Sequence, residues 1–418
     1  MTQANIMKIS IIIPSRERAF YLKSSIQTVL DIDDPNIELI VADNASTDGT
    51  DAVVAGFDDS RLTYLPSDAR VSMRENFNRS ILASSGDYVI VFGDDDAILP
   101  GQFPALRRLL DQHRPDGMSW IKATYGWPIE GFGDKTGGIR FYRDNSFGAP
   151  KIYDPHDDID TLMRCQLGQL NPTPNIYHGC VSRAYLNRSQ PSPGVFFDST
   201  IPDVNFQFRS TYVGGKFLSV AHPFTINGYG PASTGGAHSG PKKGSASEKI
   251  GHSFAAENRA DPYDDIIDHA LTVHLVYFST LETLRDRSGF SDPCPSYEDW
   301  YQFSLNATQT KPEETARILD ILRTHAERTG TDAALAAAQQ MPPRAKRTLA
   351  ERWDRIKSQL RSFRLSAEIN GENTVHTAAM VMDQVLGQDL DAILQGTQNQ
   401  SGAWAAAKRR SKDFKREL

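Results

Sequence analysis

Along the first hundred residues, short apolar runs alternate with amphipathic stretches. Ile9 to Ile13 is a β-branched run stopped by Pro14. Residues 20–30 place Tyr21, Ile26, Val29 and Leu30 at helical spacing. Ile37 to Val41 is a second apolar run, followed by the polar turn DNASTDGT. A short helix over 51–55 leads to a third strand at 62–65, a helix over 72–83 and a fourth apolar strand, Tyr88–Phe92. Apolar runs this short, separated by helices and bounded by Pro, Gly and Asp, predict strands buried on both faces. The fold class is therefore α/β, a mainly parallel sheet flanked by helices, with ligands at the carboxyl ends of the strands.

The pattern weakens after residue 115. Strands are predicted near 139–142 and 216–220, and a helix from Pro202-Asp203, with proline in the first turn and the acid favourably placed for the helix dipole. Residues 228–251 are dense in Gly, Ser and Lys and predict a loop, either an inert linker or a lid. Beyond 262 the periodicity turns helical, with helices expected over 264–285, 312–328, 332–340, 344–365 and 373–396. The divisions this implies are 1–120 and 121–235 for the two halves of one α/β unit, 236–261 for the loop or lid, and 262–418 for a helical C-terminal region.

Composition narrows the class. The 418 residues are 39% hydrophobic and 23% charged, a globular balance that excludes a disordered or fibrous chain. The net charge of −7 gives no bulk attraction to nucleic acid. No apolar run reaches the roughly 18 residues of a membrane span, and the N-terminus reads as a first strand rather than a signal peptide. Cys165, Cys180 and Cys294 form neither a disulfide framework nor a zinc spacing, so a cytoplasmic location is expected.

Three strand ends carry polar residues fit for chemistry: Pro14-Ser15-Arg16-Glu17, Asp43-Asn44-Ala45-Ser46 and Gly93-Asp94-Asp95-Asp96. In a parallel sheet they converge on one edge. Consecutive acids after a buried strand repel one another and call for a counter-charge. Mg²⁺ or Mn²⁺, held by one or two carboxylates plus phosphate oxygens, supplies it. The plain alternative is a solvated acidic turn.

The linked segments ISIIIPSRERAFYL, ELIVADNASTDGT and GDYVIVFGDDDAILPG resemble the family-2 glycosyltransferases, the inverting group with the GT-A fold. The resemblance covers about a quarter of the chain strongly. It implies that Pro14, Ser15, Arg16 and Glu17 line a nucleotide pocket, that Asp43 accepts a hydrogen bond from the donor's base with Asn44 and Ser46 beside it, and that Asp94 sits near the ribose or sugar. Asp96 would ligate the metal, and Asp95 would serve either role or only the turn. An Arg-Asn pair frequent in the family aligns here with Phe77-Asn78, leaving Arg70, Arg74 or Arg79 to replace the charge.

Inversion at an anomeric carbon needs a base for the acceptor hydroxyl. The family's acid at a helix start matches Asp203, with Asp198 as competitor and a plain dipole-stabilising acid as the alternative. His238 is a candidate metal ligand by the same resemblance, or an exposed loop histidine. If it ligates, the loop becomes a lid, with Lys242 and Lys243 near the phosphates.

Residues 341–366 carry eight basic and two acidic side chains, and 401–418 add about +4, so the remainder stands near −17. Leu349, Trp353, Ile356, Leu360 and Phe363 recur at helical spacing, which predicts either a basic helix lying in a membrane interface or one packed on the protein or on another subunit. The expected function is metal-dependent inverting transfer of a sugar from a nucleotide-sugar, with a UDP-sugar the expected donor, to a saccharide or lipid-linked saccharide in surface polysaccharide synthesis, in the cytoplasm or at the inner membrane face. The alternatives are a nucleotidyltransferase, which PSRER disfavours by lacking glycine, and a non-catalytic sugar-nucleotide-binding scaffold.

Overall fold

The computed structural model describes residues 7–129, 137–170, 172–230, 246–269, 272–341, 353 and 362–414, with the side chains of 246–252 left aside. The amino-terminal elements follow the apolar pattern closely: β1 (Ile9–Ser15), α1 (Ala19–Leu30), β2 (Ile37–Asp43), α2 (Thr50–Ala55), β3 (Leu62–Pro66), α3 (Met73–Ala83) and β4 (Tyr88–Val91). Ser72 caps α3 by accepting from the Glu75 N–H. After β5 (Ala97–Ile98) come α4 (Phe103–His113), β6 (Gly117–Trp120), β7 (Ala123–Gly126), β8 (Gly138–Tyr142), β9 (Lys151–Tyr153), α5 (Ile159–Met163), β10 (Gly179–Ser182), α6 (Arg183–Ser189), α7 (Pro202–Val213), β11 (Phe217–Val220) and β12 (Thr225–Tyr229).

The main sheet has the order β3-β2-β1-β4-β10-β6-β11-β9. Its first four strands are parallel, and β10 runs antiparallel between β4 and β6. Ile9, Ile11, Ile12 and Ile13 are fully buried, as are Val89, Ile90 and Val91. A parallel strand covered on both faces needs that continuous apolar run. A second sheet, with β13 (Ser362–Ser366) at its edge in the order β13-β8-β7-β12-β5, stands beside the carboxyl end of β4. Its short strand β5 follows the three aspartates directly, so the acidic turn is pinned between the two sheets.

The remaining helices are α8 (Ala246–Arg259), α9 (Val273–Ser288), α10 (Tyr297–Leu305), α11 (Ala307–Thr310), α12 (Thr315–Thr329) and α13 (Asp332–Gln340), then strand β13 (Ser362–Ser366), α14 (Val375–Leu386), α15 (Asp389–Leu394) and α16 (Gln400–Arg410). Three expectations change here. Within the expected loop 236–261, residues 246–259 are helical. The helix expected over 264–285 begins at Val273, where Thr272 caps it. The helix over 373–396 is split at Gly387, whose φ of 58° ends α14.

The largest correction concerns 344–365. Its last residues form β13, paired antiparallel with β8. Phe363 and Leu365 point inward and Arg364 outward, a period of two that coincided with the helical spacing at Leu360 and Phe363. Phe363 stacks on Phe141 at 4.8 Å and packs edge-on against Trp404 at 4.7 Å, so it belongs to the protein's own core and not to a membrane-facing stripe. Of residues 344–361 only Trp353 is described, and it is exposed. Nor do residues 262–418 form one helical body. Helices α9 to α13 pack on α7 around Phe208, Phe278 and Trp300, whereas α14 to α16 join the core beneath α1 and α4. No helix among the described residues is long and apolar enough to cross a membrane.

Candidate functional site

The carboxyl ends of β1 and β4 and the first turn of α7 face a cavity of about 340 Å³. Of the residues singled out in the sequence, Pro14, Ser15, Arg16, Asn44, Asp94, Asp95, Asp96 and Asp203 line it. Asp43, Ser46 and Glu17 do not. The Asp43 carboxylate accepts hydrogen bonds from the Tyr64 hydroxyl at 2.9 Å and the Ser46 N–H at 3.2 Å. Ser46 in turn accepts from the Glu17 N–H, and Glu17 accepts from Thr47. These residues brace the two strand ends against each other. Glu17, Ala45 and His178, around the cavity, all hold left-handed backbone conformations at φ of 53°, 51° and 55°. Such conformations are costly for non-glycine residues and concentrate at functional sites.

Each member of the acidic turn has a different environment. Asp94 accepts from Ser15 Oγ at 2.8 Å and from Arg18 Nη1 at 2.9 Å. Burial still raises its pKa, against the pull of Arg18. Asp96 is fully committed: its Oδ2 accepts from the Gly93 N–H at 2.8 Å and the Tyr177 hydroxyl at 2.7 Å, and its Oδ1 from the Gly228 N–H at 2.8 Å. His178 Nε2 lies 3.0 Å from the same Oδ2, though without the alignment of a good hydrogen bond. Burial pushes the Asp96 carboxyl up, but His178, Tyr177 and Gly93 outweigh it and hold the group below its usual range. Asp95 differs from both. Its nearest charged partner is Arg18 at 3.4 Å, and burial together with the neighbouring Asp96 pushes it well above the carboxylate range.

Glycines make this packing possible. A Cβ on Gly93 would meet the Tyr177 hydroxyl at 2.5 Å, and one on Gly228 would lie 1.8 Å from the Asp95 carbonyl oxygen. That carbonyl also accepts from the Trp127 indole at 3.0 Å.

Asp203 lies half-buried in the first turn of α7, with its pKa raised by burial against the Val204 N–H and Lys122. A raised pKa makes it the stronger base. The competitor Asp198 is excluded on geometry. It is fully buried, paired with Arg209 at 2.6 Å, and bonded to Asn205 and Ser288.

None of Arg70, Arg74 and Arg79 lines the cavity. Arg70 bonds the Asn44 carbonyl and Glu17, Arg74 pairs with Asp261 at 2.9 Å, and Arg79 bonds the carbonyls of Asp43, Leu65 and Pro66. Besides Arg16, the cavity is lined by a second cation, Arg18, which the sequence pattern did not single out although it lies within PSRER. Tyr177, His178 and Gly228 were missed as well. Only their adjacency to the phrase HGCVSRAYL and to the glycine-rich loop could have signalled them.

Helix α8 crosses the cavity mouth. Arg16 Nη2 reaches Glu257 at 2.6 Å and Ser253 Oγ at 2.7 Å, and its guanidinium sits 4.4 Å from the Phe254 ring centroid. His238, Lys242 and Lys243 lie outside the described residues.

The donor set suits a hard cation that brings its own oxygen ligands. No group of three or more His, Cys, Asp or Glu that could hold a metal occurs among the described residues. Asp95 instead presents an under-compensated carboxylate next to Asp94, the pattern for Mg²⁺ or Mn²⁺ completed by phosphate oxygens.

Residues 10–159 match the model of glycosyl transferase family 2. Two curated relatives align with about a quarter of the chain. One is a GalNAc(5)-diNAcBac-PP-undecaprenol beta-1,3-glucosyltransferase of Campylobacter jejuni, 32% identical over 102 residues, covering 24% of this chain and 33% of that protein. The other is the abequosyltransferase RfbV of Salmonella typhimurium, 31% identical over 110 residues, covering 25% and 33%. The chain thus spans about a third of the length of these relatives. Among solved structures, Staphylococcus aureus TarS aligns with 80% of this chain and 55% of its own, at 14% identity and a TM-score of 0.43. The similarity to the family-2 glycosyltransferases thus rests on residues 10–159 and on these partial alignments.

Proposed function

We propose that this protein is a metal-dependent inverting glycosyltransferase. It moves a sugar from a nucleotide-sugar, with a UDP-sugar as the favoured donor, to a hydroxyl of a saccharide or lipid-linked saccharide. One observation carries the reading: Pro14, Ser15, Arg16 and Arg18, the Asp94-Asp95-Asp96 turn and Asp203 share one cavity. The name of the Campylobacter relative, which specifies a diphosphate-linked undecaprenol saccharide, supports a lipid-linked acceptor in surface polysaccharide assembly. A peripheral position at the cytoplasmic membrane face follows from such an acceptor.

In this reading Asp95, with Asp94 beside it, takes the role first expected of Asp96, because the three hydrogen bonds of Asp96 leave it to shape the turn. Mn²⁺ or Mg²⁺ would supply charge stabilisation to the departing nucleoside diphosphate. Arg18, fixed by Asp94, adds a second positive charge on the same side. Asp203 takes the proton of the acceptor hydroxyl as that oxygen attacks the anomeric carbon from the face opposite the leaving group. Phe254 and the Arg16–Glu257 pair cover the mouth and limit water. The test is a panel of nucleotide-sugars with each metal, read as thermal shift and nucleotide release. Absence of a response to every donor with both metals would refute the reading.

A further inference from the structure

The second sheet carries a row of side chains leading away from the cavity. Asn227 on β12, which lines the cavity, stands opposite Thr124 on β7. Thr124 stands opposite Arg140 on β8, and Arg140 opposite Arg364 on β13. Residues directly opposite on neighbouring strands project from the same face. Burial agrees: Ile139, Phe141 and Leu365 are buried, whereas Thr124, Arg140 and Asn227 are half-buried and Arg364 is exposed. Three strand spacings put Arg364 about 14 Å from Asn227.

Like charges directly opposite across a strand pair repel, and an acid within reach would relieve them. Arg18, Arg107, Arg188 and Arg209 each have such a partner. Among the described residues, Arg140 and Arg364 have no carboxylate within ion-pair distance and no side-chain hydrogen bond. Two guanidinium groups carried at directly opposite positions on one sheet face could together meet the oxygens of a phosphate or diphosphate.

We propose that Arg140 and Arg364 form a phosphate-binding subsite for the acceptor, reached from the cavity along Thr124 and Asn227. The subsite rests on the transferase reading of the cavity and deepens it: the acceptor class is a saccharide bearing a phosphate or diphosphate remote from the reacting hydroxyl. Binding energy taken from that remote group would be used at the reacting centre.

The test compares the full-length protein with the Arg140→Ala/Arg364→Ala double variant, neither residue being in the catalytic cavity. Calorimetry with inorganic pyrophosphate in EDTA reads a soluble phosphate. Flotation with phosphatidylcholine vesicles, with and without phosphatidylglycerol, reads a lipid headgroup. Wild type is expected to show pyrophosphate or anionic-vesicle binding that weakens at least tenfold in the double variant, falls with added salt and is partly restored by Arg140→Lys/Arg364→Lys. Either arm alone supports the subsite and identifies the source of the phosphate. Equal binding by wild type and double variant in both arms would overturn it, as would a fall of several degrees in the melting temperature of the double variant, since removing two unpaired like charges should leave stability unchanged or raised. Nucleotide-dependent thermal shift in the same samples reports the transferase reading separately, so failure of one is distinguishable from failure of the other.

Discussion

Replacing Asp96 and Asp95 in turn by asparagine separates a residue that shapes the site from one that works in it. The Asp96 carboxylate accepts three hydrogen bonds, two on Oδ2 and one on Oδ1. In Asp96→Asn the carbonyl oxygen can keep the bonds from Gly93 and Tyr177 but the amide then faces the Gly228 N–H. One buried donor is left unpaired, at about 1–3 kcal/mol, and two bonds to a charge become neutral ones, at about 1 kcal/mol each. The expected loss is about 4 kcal/mol, measured by urea denaturation with and without nucleotide. Asp95→Asn removes a buried charge that its surroundings already disfavour, so its stability should be equal or slightly higher, while metal-dependent nucleotide binding is lost. An Asp96→Asn protein as stable as wild type would refute the reasoning, because its hydrogen bonds would then carry no weight and its carboxylate would be free for a metal.

Other predictions follow from single groups. Asp203→Asn should lower transfer by about 10²–10⁴-fold, the usual worth of a positioned base, with nucleotide-sugar affinity retained; transfer within threefold of wild type would dismiss it as the base. Asp383 accepts from the Gly101 N–H at 2.7 Å, and burial raises its pKa to about 6. Its folded-state pKa lies above the unfolded value, so its contribution to stability is complete below about pH 4 and lost as pH rises through 6. After allowance for its partial exposure the loss is about 2 kcal/mol, read as the difference between wild type and Asp383→Asn in urea unfolding across that range. Phe363→Ala should cost about 2 kcal/mol through lost stacking on Phe141 and Trp404, and it should leave any binding to vesicles unchanged.

The first hundred residues were legible because parallel strands buried on both faces must be continuously apolar, and their ends must be polar to do chemistry. Ile9–Ile13 and Tyr88–Val91 declared both features at once. The acidic turn could be located in this way, but its division of labour could not. Which of Asp94, Asp95 and Asp96 is committed depends on Tyr177 and Gly228, which arrive from β-strand neighbourhoods more than eighty residues away. Asp198 and Asp203 likewise differ through tertiary partners, since Arg209, Asn205 and Ser288 all converge on Asp198. In the tail the apolar spacing was compatible with two periods. The strand won because Phe363 and Leu365 complete a sheet edge on β8, a contact across more than two hundred residues of sequence.

In the proposed function the cavity holds a nucleotide-sugar with a divalent cation through Asp95. The most direct measurement is the melting temperature of wild type and Asp95→Asn across a panel of nucleotide-sugars with Mn²⁺, Mg²⁺ or EDTA. Wild type should be stabilised by at least one donor only when metal is present, and Asp95→Asn should show no such stabilisation. Equal stabilisation of both proteins, or a shift in EDTA as large as that with metal, would contradict it.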